Sequence, residues 1–283
     1  MAIIGAILGD ISGSQYEFEN MRPKDLDYKE CPLFTERCRF TDDTVMTLAT
    51  KVAILENISF ERAYEDFARK YPYAGYGEMF YDWVRTPLPL KRAYGSFGNG
   101  SAMRCSFIGE FFNREKDVIC VAKRSAECTH NHPEGIKGAV VTAMCIYMAR
   151  KGASKTEILE YAKRAYPKEL YRYSVEYTLD KIRSVYQWDV TCQGSVPVAI
   201  RCFLESEDYE SFLRNAYSLP CDLDTICAIG GGIAEEYYKE TGFDNEFLLF
   251  KYLDEHLNRI ALKFSRISPL LVSWKYGSED NAK

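Results

Sequence analysis

Apolar positions recur at helical spacing along most of this chain. Between residues 42 and 56, Val45, Leu48, Ala49, Val52 and Leu55 fall on one helical face. The run GAVVTAMCIYMAR at 138–150 predicts a buried helix. Ser154 and Glu157 form a capping box that opens SKTEILEYAKRAY. The stretch VPVAIRCFLE at 196–205 puts Pro197 near a helix start, where its missing N–H does no harm. Further helices fit 207–219, 225–240 and 245–264. Strand-like alternation is scarce, and there is no long linker, low-complexity tract or fixed-period repeat. The pattern predicts a single all-α domain over 1–283, a compact multi-helix bundle.

Three polar breaks interrupt the helices. They are RTPLPLKRAYGSFGNGS at 85–101, CTHNHPEG at 128–135 and SLPCDLDT at 218–225. Proline and glycine keep the first from being regular helix. Each break immediately precedes a helix, so several helix N-termini can face one region. Their unpaired N–H groups and partial positive charge suit phosphate and other anions.

Composition narrows the function classes. The chain has 283 residues, 47% of them hydrophobic, which is enough for one large core. A net charge of −5 argues against a general nucleic-acid binder, which needs a basic face. The opening MAIIGAILGD lacks a basic n-region and is too short to span a bilayer. No later stretch is long and uncharged enough to do so, and the expectation is a soluble, cytoplasmic protein. The ten cysteines contain no CxxC pair, and the three histidines are not placed beside cysteines at ligand spacing. Reduced thiols are expected rather than disulfides or a zinc site.

Two short motifs carry candidate chemistry. FTDDT at 40–44 and CDLDT at 221–225 each set two aspartates and a threonine at the start of a helix. Capping explains part of this: Thr41 is a good N-cap, Asp42 and Asp43 complement the helix dipole, and Asp222 or Asp224 can cap the later helix. Capping needs one such residue per helix, however, and two helices share the same excess. The alternative is a hard-metal site, with oxygen ligands from Asp42, Asp43, Asp222 and Asp224 and hydroxyls from Thr41 and Thr225. The DDxxD box of terpenoid synthases does not fit, because Met46 stands where its third acid belongs. Near the N-terminus, Gly5, Gly9 and Gly13 fall four apart and line one helical face. Each costs roughly 1 kcal/mol relative to alanine, so the ridge implies close approach of another backbone. Glu17 follows, either solvated or beside the acidic site.

These residues, in order, resemble a family. GxxxGDxxGxxxE from Gly5 to Glu17, FTDDT, GNGSAMR at 98–104, THNHPEGIKGA at 129–139 and the final DLDT before a glycine-rich helix are similar to the ADP-ribosylglycohydrolase family, through about Tyr238. The resemblance implies an all-α fold with two Mg²⁺ ions in a cleft, Mn²⁺ being a possible substitute. It implies metal ligation by Thr41, Asp42, Asp43, Asp222, Asp224 and Thr225, and catalytic roles for Glu17 and Asp43. Gly98, Asn99, Gly100, Ser101 and Met103 match a loop lining the ADP-ribose site, and His130 falls in a segment near the ligand. The implied reaction is hydrolysis of the bond between ADP-ribose and a protein side chain, so ADP-ribose and an ADP-ribosylated protein are the expected partners. The alternatives are a non-catalytic nucleotide-binding member of the fold and a dinuclear-metal hydrolase of another ribosyl substrate. One departure concerns the pocket: where the family commonly has GGDSDT, this chain has PCDLDT, with Pro220, Cys221 and Leu223 changed and the acids and threonine kept.

Overall fold

A computed structural model describes residues 2–18 and 21–263. Its first helix, α1 (Ala2–Gly13), is buried at every position. A helix apolar on all sides belongs at the centre of a protein rather than on its surface. The N–H groups left free at its start are taken up by carboxylates from two other helices. Ala2 N–H donates to Glu236 at 3.0 Å, Ile3 N–H to Glu110 at 3.0 Å and Gly5 N–H to Glu235 at 2.6 Å.

The glycine ridge of α1 lies directly against α13 (Leu223–Tyr238), backbone to backbone. A Cβ on Gly9 would stand 2.5 Å from the Cys227 carbonyl carbon, and one on Gly13 2.5 Å from Asp224 Cα. Around this pair pack α2 (Asp42–Glu56), α6 (Ser106–Phe111), α8 (Pro133–Arg150), α11 (Cys192–Leu204) and α12 (Tyr209–Tyr217). The outer layer holds α3 (Phe60–Lys70), α4 (Glu78–Arg85), α7 (Glu115–Glu127), α9 (Lys155–Ala165) and α10 (Leu179–Arg183), while the short α5 (Gly100–Met103) is buried against α8 and α13. The last two helices are α14 (Asn245–Tyr252) and α15 (Glu255–Lys263). The described residues contain no β-strand, only one isolated antiparallel bridge between Gly98 and Thr191. No described helix is long and apolar enough to cross a membrane.

The element boundaries correct several expectations. The helix expected at 138–150 begins earlier, at Pro133, where the His132 side chain accepts from Glu134 N–H. Pro197 lies inside α11, because Thr191 caps that helix through Gly194 N–H and starts it a turn sooner. The single helix expected at 245–264 is two. Leu253 is extended at φ −96°, ψ 149°, and Asp254 accepts from Leu257 N–H at 2.8 Å, so a new cap begins there. Its last expected residue, 264, lies outside the described residues. The capping box at Ser154 and Glu157 forms as read. All ten cysteines are free thiols, and Cys120 is exposed.

Candidate active site

FTDDT is held from behind by a residue that the motif does not contain. Asp10, fully buried on α1, accepts from Thr41 N–H at 3.0 Å, Thr41 Oγ1 at 2.7 Å and Thr44 N–H at 3.0 Å. Thr41 also caps α2, accepting from Asp43 N–H at 3.2 Å. Its hydroxyl is therefore engaged with Asp10 and Asp43, and Thr41 is not on the wall of the cleft in front. Asp42 and Asp43 are on that wall, one half-buried and the other buried. Thr225 on α13 donates to Asp43 Oδ2 at 3.2 Å, which joins the two acidic motifs across 182 residues of sequence.

At the second motif the capping explanation fails. Asp222 occupies the N-cap position of α13, yet its side chain accepts no capping hydrogen bond from the backbone of that helix. Its carboxylate turns instead to Asn99, whose Nδ2 donates to Asp222 Oδ2 at 2.7 Å and to Ser195 Oγ at 3.0 Å. Asp224 also faces the cleft, with Thr225 beside it. Cys221 and Leu223 are buried in the core, and neither they nor Pro220 line the cleft. The departures in PCDLDT therefore fall outside the pocket wall while both aspartates remain on it.

The cleft has a volume of about 350 Å³, within the usual range for small-molecule sites. Glu17 lies at its acidic end, its carboxylate paired with Arg39 at 2.7 Å. The cleft is also lined by the loop Gly98, Asn99 and Gly100, with Met103 and His130. That loop is pinned to the chain leading into α11: Asn99 N–H donates to the Val190 carbonyl and Cys192 N–H to the Phe97 carbonyl, both at 2.8 Å. Ser101 does not reach the cleft. It is fully buried, and its hydroxyl donates to the Gly135 carbonyl at 2.7 Å. Tyr76, Phe80, Tyr94 and Trp188 supply aromatic wall.

Burial dominates the electrostatics. It raises the pKa of Asp42, Asp43 and Asp224 well above the carboxylate range, and repulsion from neighbouring acids adds to it. Asp222 is pushed up by burial to about 6, with the Asn99 hydrogen bond opposing the rise. Glu17 is pushed up by burial to about 7, Arg39 opposing and Asp10 and Asp222 adding. Among the described residues, no three His, Cys, Asp or Glu side chains already enclose a single ion position. The donor set nevertheless fits a hard cation. It is all oxygen, it is crowded with mutually repelling acids, and Oδ1 of both Asp43 and Asp224 is buried without any hydrogen-bond partner. Asp42, Asp43, Asp222, Asp224 and the Thr225 hydroxyl are the groups that could hold it.

Among the described residues, the helical fold gathers acids from the starts of α2 and α13, with Glu17, at one cleft that also holds a glycine loop, an arrangement suited to a metal-assisted enzyme. The family model for ADP-ribosylglycohydrolase matches residues 1–266, and the chain belongs to the ADP-ribosylglycohydrolase family, whose members are glycoside-cleaving enzymes. It is 26% identical over 304 residues to ADP-ribosylhydrolase ARH3 of Homo sapiens, covering 83% of this chain and 84% of that one. It is 28% identical over 306 residues to ARH3 of Mus musculus, covering 83% and 82%. A solved structure, titled ADP-ribosylglycohydrolase-related protein complex, superposes with a TM-score of 0.69 over 94% of this chain and 96% of that one. At 22% identity, that match speaks for the all-α fold alone.

Proposed function

We propose that this enzyme is a Mg²⁺-dependent hydrolase that cleaves the glycosidic bond between ADP-ribose and a protein side chain. The observation that carries the proposal is the pairing of two unlike walls in one cleft. Buried acids suited to divalent cations share the cleft with a glycine-rich loop suited to a diphosphate, and Asn99 joins the two through its bond to Asp222. The relatives named ADP-ribosylhydrolase support the same substrate class.

Asp42, Asp43, Asp222, Asp224 and Thr225 would hold two Mg²⁺ ions, with Mn²⁺ as a substitute. When bound, the ions supply positive charge for the ribose hydroxyls and make a nearby water more acidic. Asn99 orients Asp222, and Asp10 orients Asp43 through Thr41. The Gly100 N–H and the His130 ring bind the diphosphate, the N–H groups of Gly98 and Asn99 being held by Ser96 and Val190. Glu17 holds the attacking water or moves its proton as the ribose carbon gains oxocarbenium character. Its lifted pKa suits a group that must both take and give a proton near neutrality. The aromatic wall receives the adenine.

The test is release of free ADP-ribose from arginine-linked and serine-linked ADP-ribosylated peptides, with Mg²⁺ and with EDTA. Mg²⁺-dependent release from one peptide supports the reaction and names its linkage. No release from either, by folded protein that still binds Mg²⁺, refutes the proposed substrate.

A further inference from the structure

Arg104 closes the GNGSAMR motif, and it is among the largest side chains fully buried in the molecule. Its Nη2 donates to the Ser125 carbonyl at 2.6 Å and to Thr129 Oγ1 at 2.8 Å. Its guanidinium carbon lies 4.2 Å from the centre of the Tyr64 ring. Among the described residues no carboxylate pairs with it, and the groups facing its charge are Tyr64, Tyr94, Cys105 and Cys128. Burying a guanidinium without an anion is costly, and an apolar side chain of similar reach would avoid that cost. The charge therefore calls for a use other than packing.

We propose that Arg104 and Thr129 are positioning residues that fix the tautomer of His130, so that Nε2–H is held as a hydrogen-bond donor toward the Gly98–Gly100 loop. Thr129 Oγ1 lies 2.8 Å from His130 Nδ1. Arg104 fills one lone pair of that oxygen, and the hydroxyl's own proton can reach Nδ1 at 2.8 Å or the Ala126 carbonyl at 3.4 Å, with the Cys128 thiol also beside it; we assign that proton to Nδ1, the nearer of the two. With Nδ1 accepting, the single proton of the neutral ring sits on Nε2. Burial and the Arg104 charge both keep the ring from taking a second proton. The Tyr94 ring, 5.8 Å away between centroids, flanks the imidazole. Nε2 would stand 3.2 Å from a Cβ on Gly100 and 3.7 Å from one on Gly98. The two glycines therefore leave the donor edge uncovered. An ionised diphosphate only accepts hydrogen bonds, so the other tautomer would meet it with a lone pair.

The ligand part of this inference rests on the proposed function; the tautomer part does not. Long-range ¹H–¹⁵N spectra of the ligand-free protein read the ring directly. The chain has three histidines, so His130→Gln identifies the signal by its loss. The expected wild-type spectrum is that of the Nε2–H tautomer. Thr129→Ser keeps the hydroxyl and should keep both the spectrum and the affinity for ADP-ribose. Thr129→Val, of the same shape without the hydroxyl, should mix the tautomers and weaken ADP-ribose about 10-fold or more, the scale of lost outer-shell orientation. An Nδ1–H tautomer in the wild type overturns the inference with no variant needed. A Thr129→Val protein with the wild-type spectrum overturns it whatever its affinity. Wild-type protein that lacks ADP-ribose affinity refutes the proposed function, and the ligand-free spectrum still decides the tautomer.

Discussion

Adding one methyl group to the glycine ridge tests how fold and site are joined. Gly9→Ala places a Cβ 2.5 Å from the Cys227 carbonyl carbon and 3.0 Å from Ala228 N. Ordinary carbon contacts lie at about 3.5–4.0 Å, so α1 and α13 would have to separate by about 1 Å. The atoms struck are backbone, and no rotamer relieves the clash. Overpacking of this kind costs about 1–3 kcal/mol, sometimes more, against about 1 kcal/mol gained from helix propensity. The expected net loss is about 1 kcal/mol, or a fall in Tm of about 2–4 °C at this size. Gly13→Ala strikes Asp224 Cα and N, each at 2.5 Å, and should also weaken Mg²⁺ binding by moving the first turn of α13. Gly77→Ala, with nothing within 4 Å of its Cβ, is the control and should stay within about 1 kcal/mol. Urea denaturation and Mg²⁺ calorimetry read the three variants. A Gly9→Ala protein more stable than wild type would refute the close-approach argument, since propensity alone would then account for it.

Three further outcomes follow from the site and its surroundings. Mg²⁺ at about one hundred times its dissociation constant should stabilise the protein by about 2.7 kcal/mol, and Asp43→Asn should abolish the shift in thermal melts; an unchanged shift would remove Asp43 from the ligand set. Asn99→Ala removes the donor 2.7 Å from Asp222 and should weaken Mg²⁺ about 10–100-fold by calorimetry, with unaltered affinity counting against its orienting role. Burial lifts Glu235 from its ordinary 4.5 to about 8, so the folded state keeps a proton that the unfolded chain gives up. Its contribution to stability is therefore full below about pH 4.5 and declines as pH rises to about 8. Glu235→Gln should flatten that decline in denaturant curves taken at about pH 5 and about pH 8, and an equal slope in both proteins would sink the assignment.

The sequence was most informative where local rules and packing agree. The start of α2, the Ser154 capping box and the glycine ridge were legible because each follows from its neighbours or from one spacing. The break at Leu253 was not, because residues 245–264 keep enough apolar spacing for one helix, and Asp254 declares itself a cap only by its geometry. Pro197 misled for the opposite reason. The first-turn rule fits a helix that begins at 196, but the Thr191 cap starts α11 a turn sooner. Thr41 and Ser101 matched family positions, but their hydroxyls face Asp10 and Gly135, partners distant in sequence. Asp10 was visible only as the charge ending an apolar run. A buried acid inside an otherwise apolar helix was the available signal, since such a group needs donors, and the N–H groups of FTDDT are those donors.

The two aspartate motifs also show why capping and ligation need not compete. At FTDDT both occur: Thr41 caps α2 while Asp10 fixes Thr41, and the cap is what aims Asp42 and Asp43 at the cleft. At CDLDT the cap is given up, since Asp222 sits at the N-cap position and bonds to Asn99 instead. A cap of this kind is worth about 1 kcal/mol. The chain forgoes it while keeping buried acids whose repulsion raises their pKa values. Stability alone would favour the opposite choice at both points. The glycine ridge completes the arrangement, because only direct backbone contact between α1 and α13 brings Asp224 alongside the motif that Asp10 holds. The same contacts that make the central helix pair therefore set the spacing between the two halves of the acidic wall.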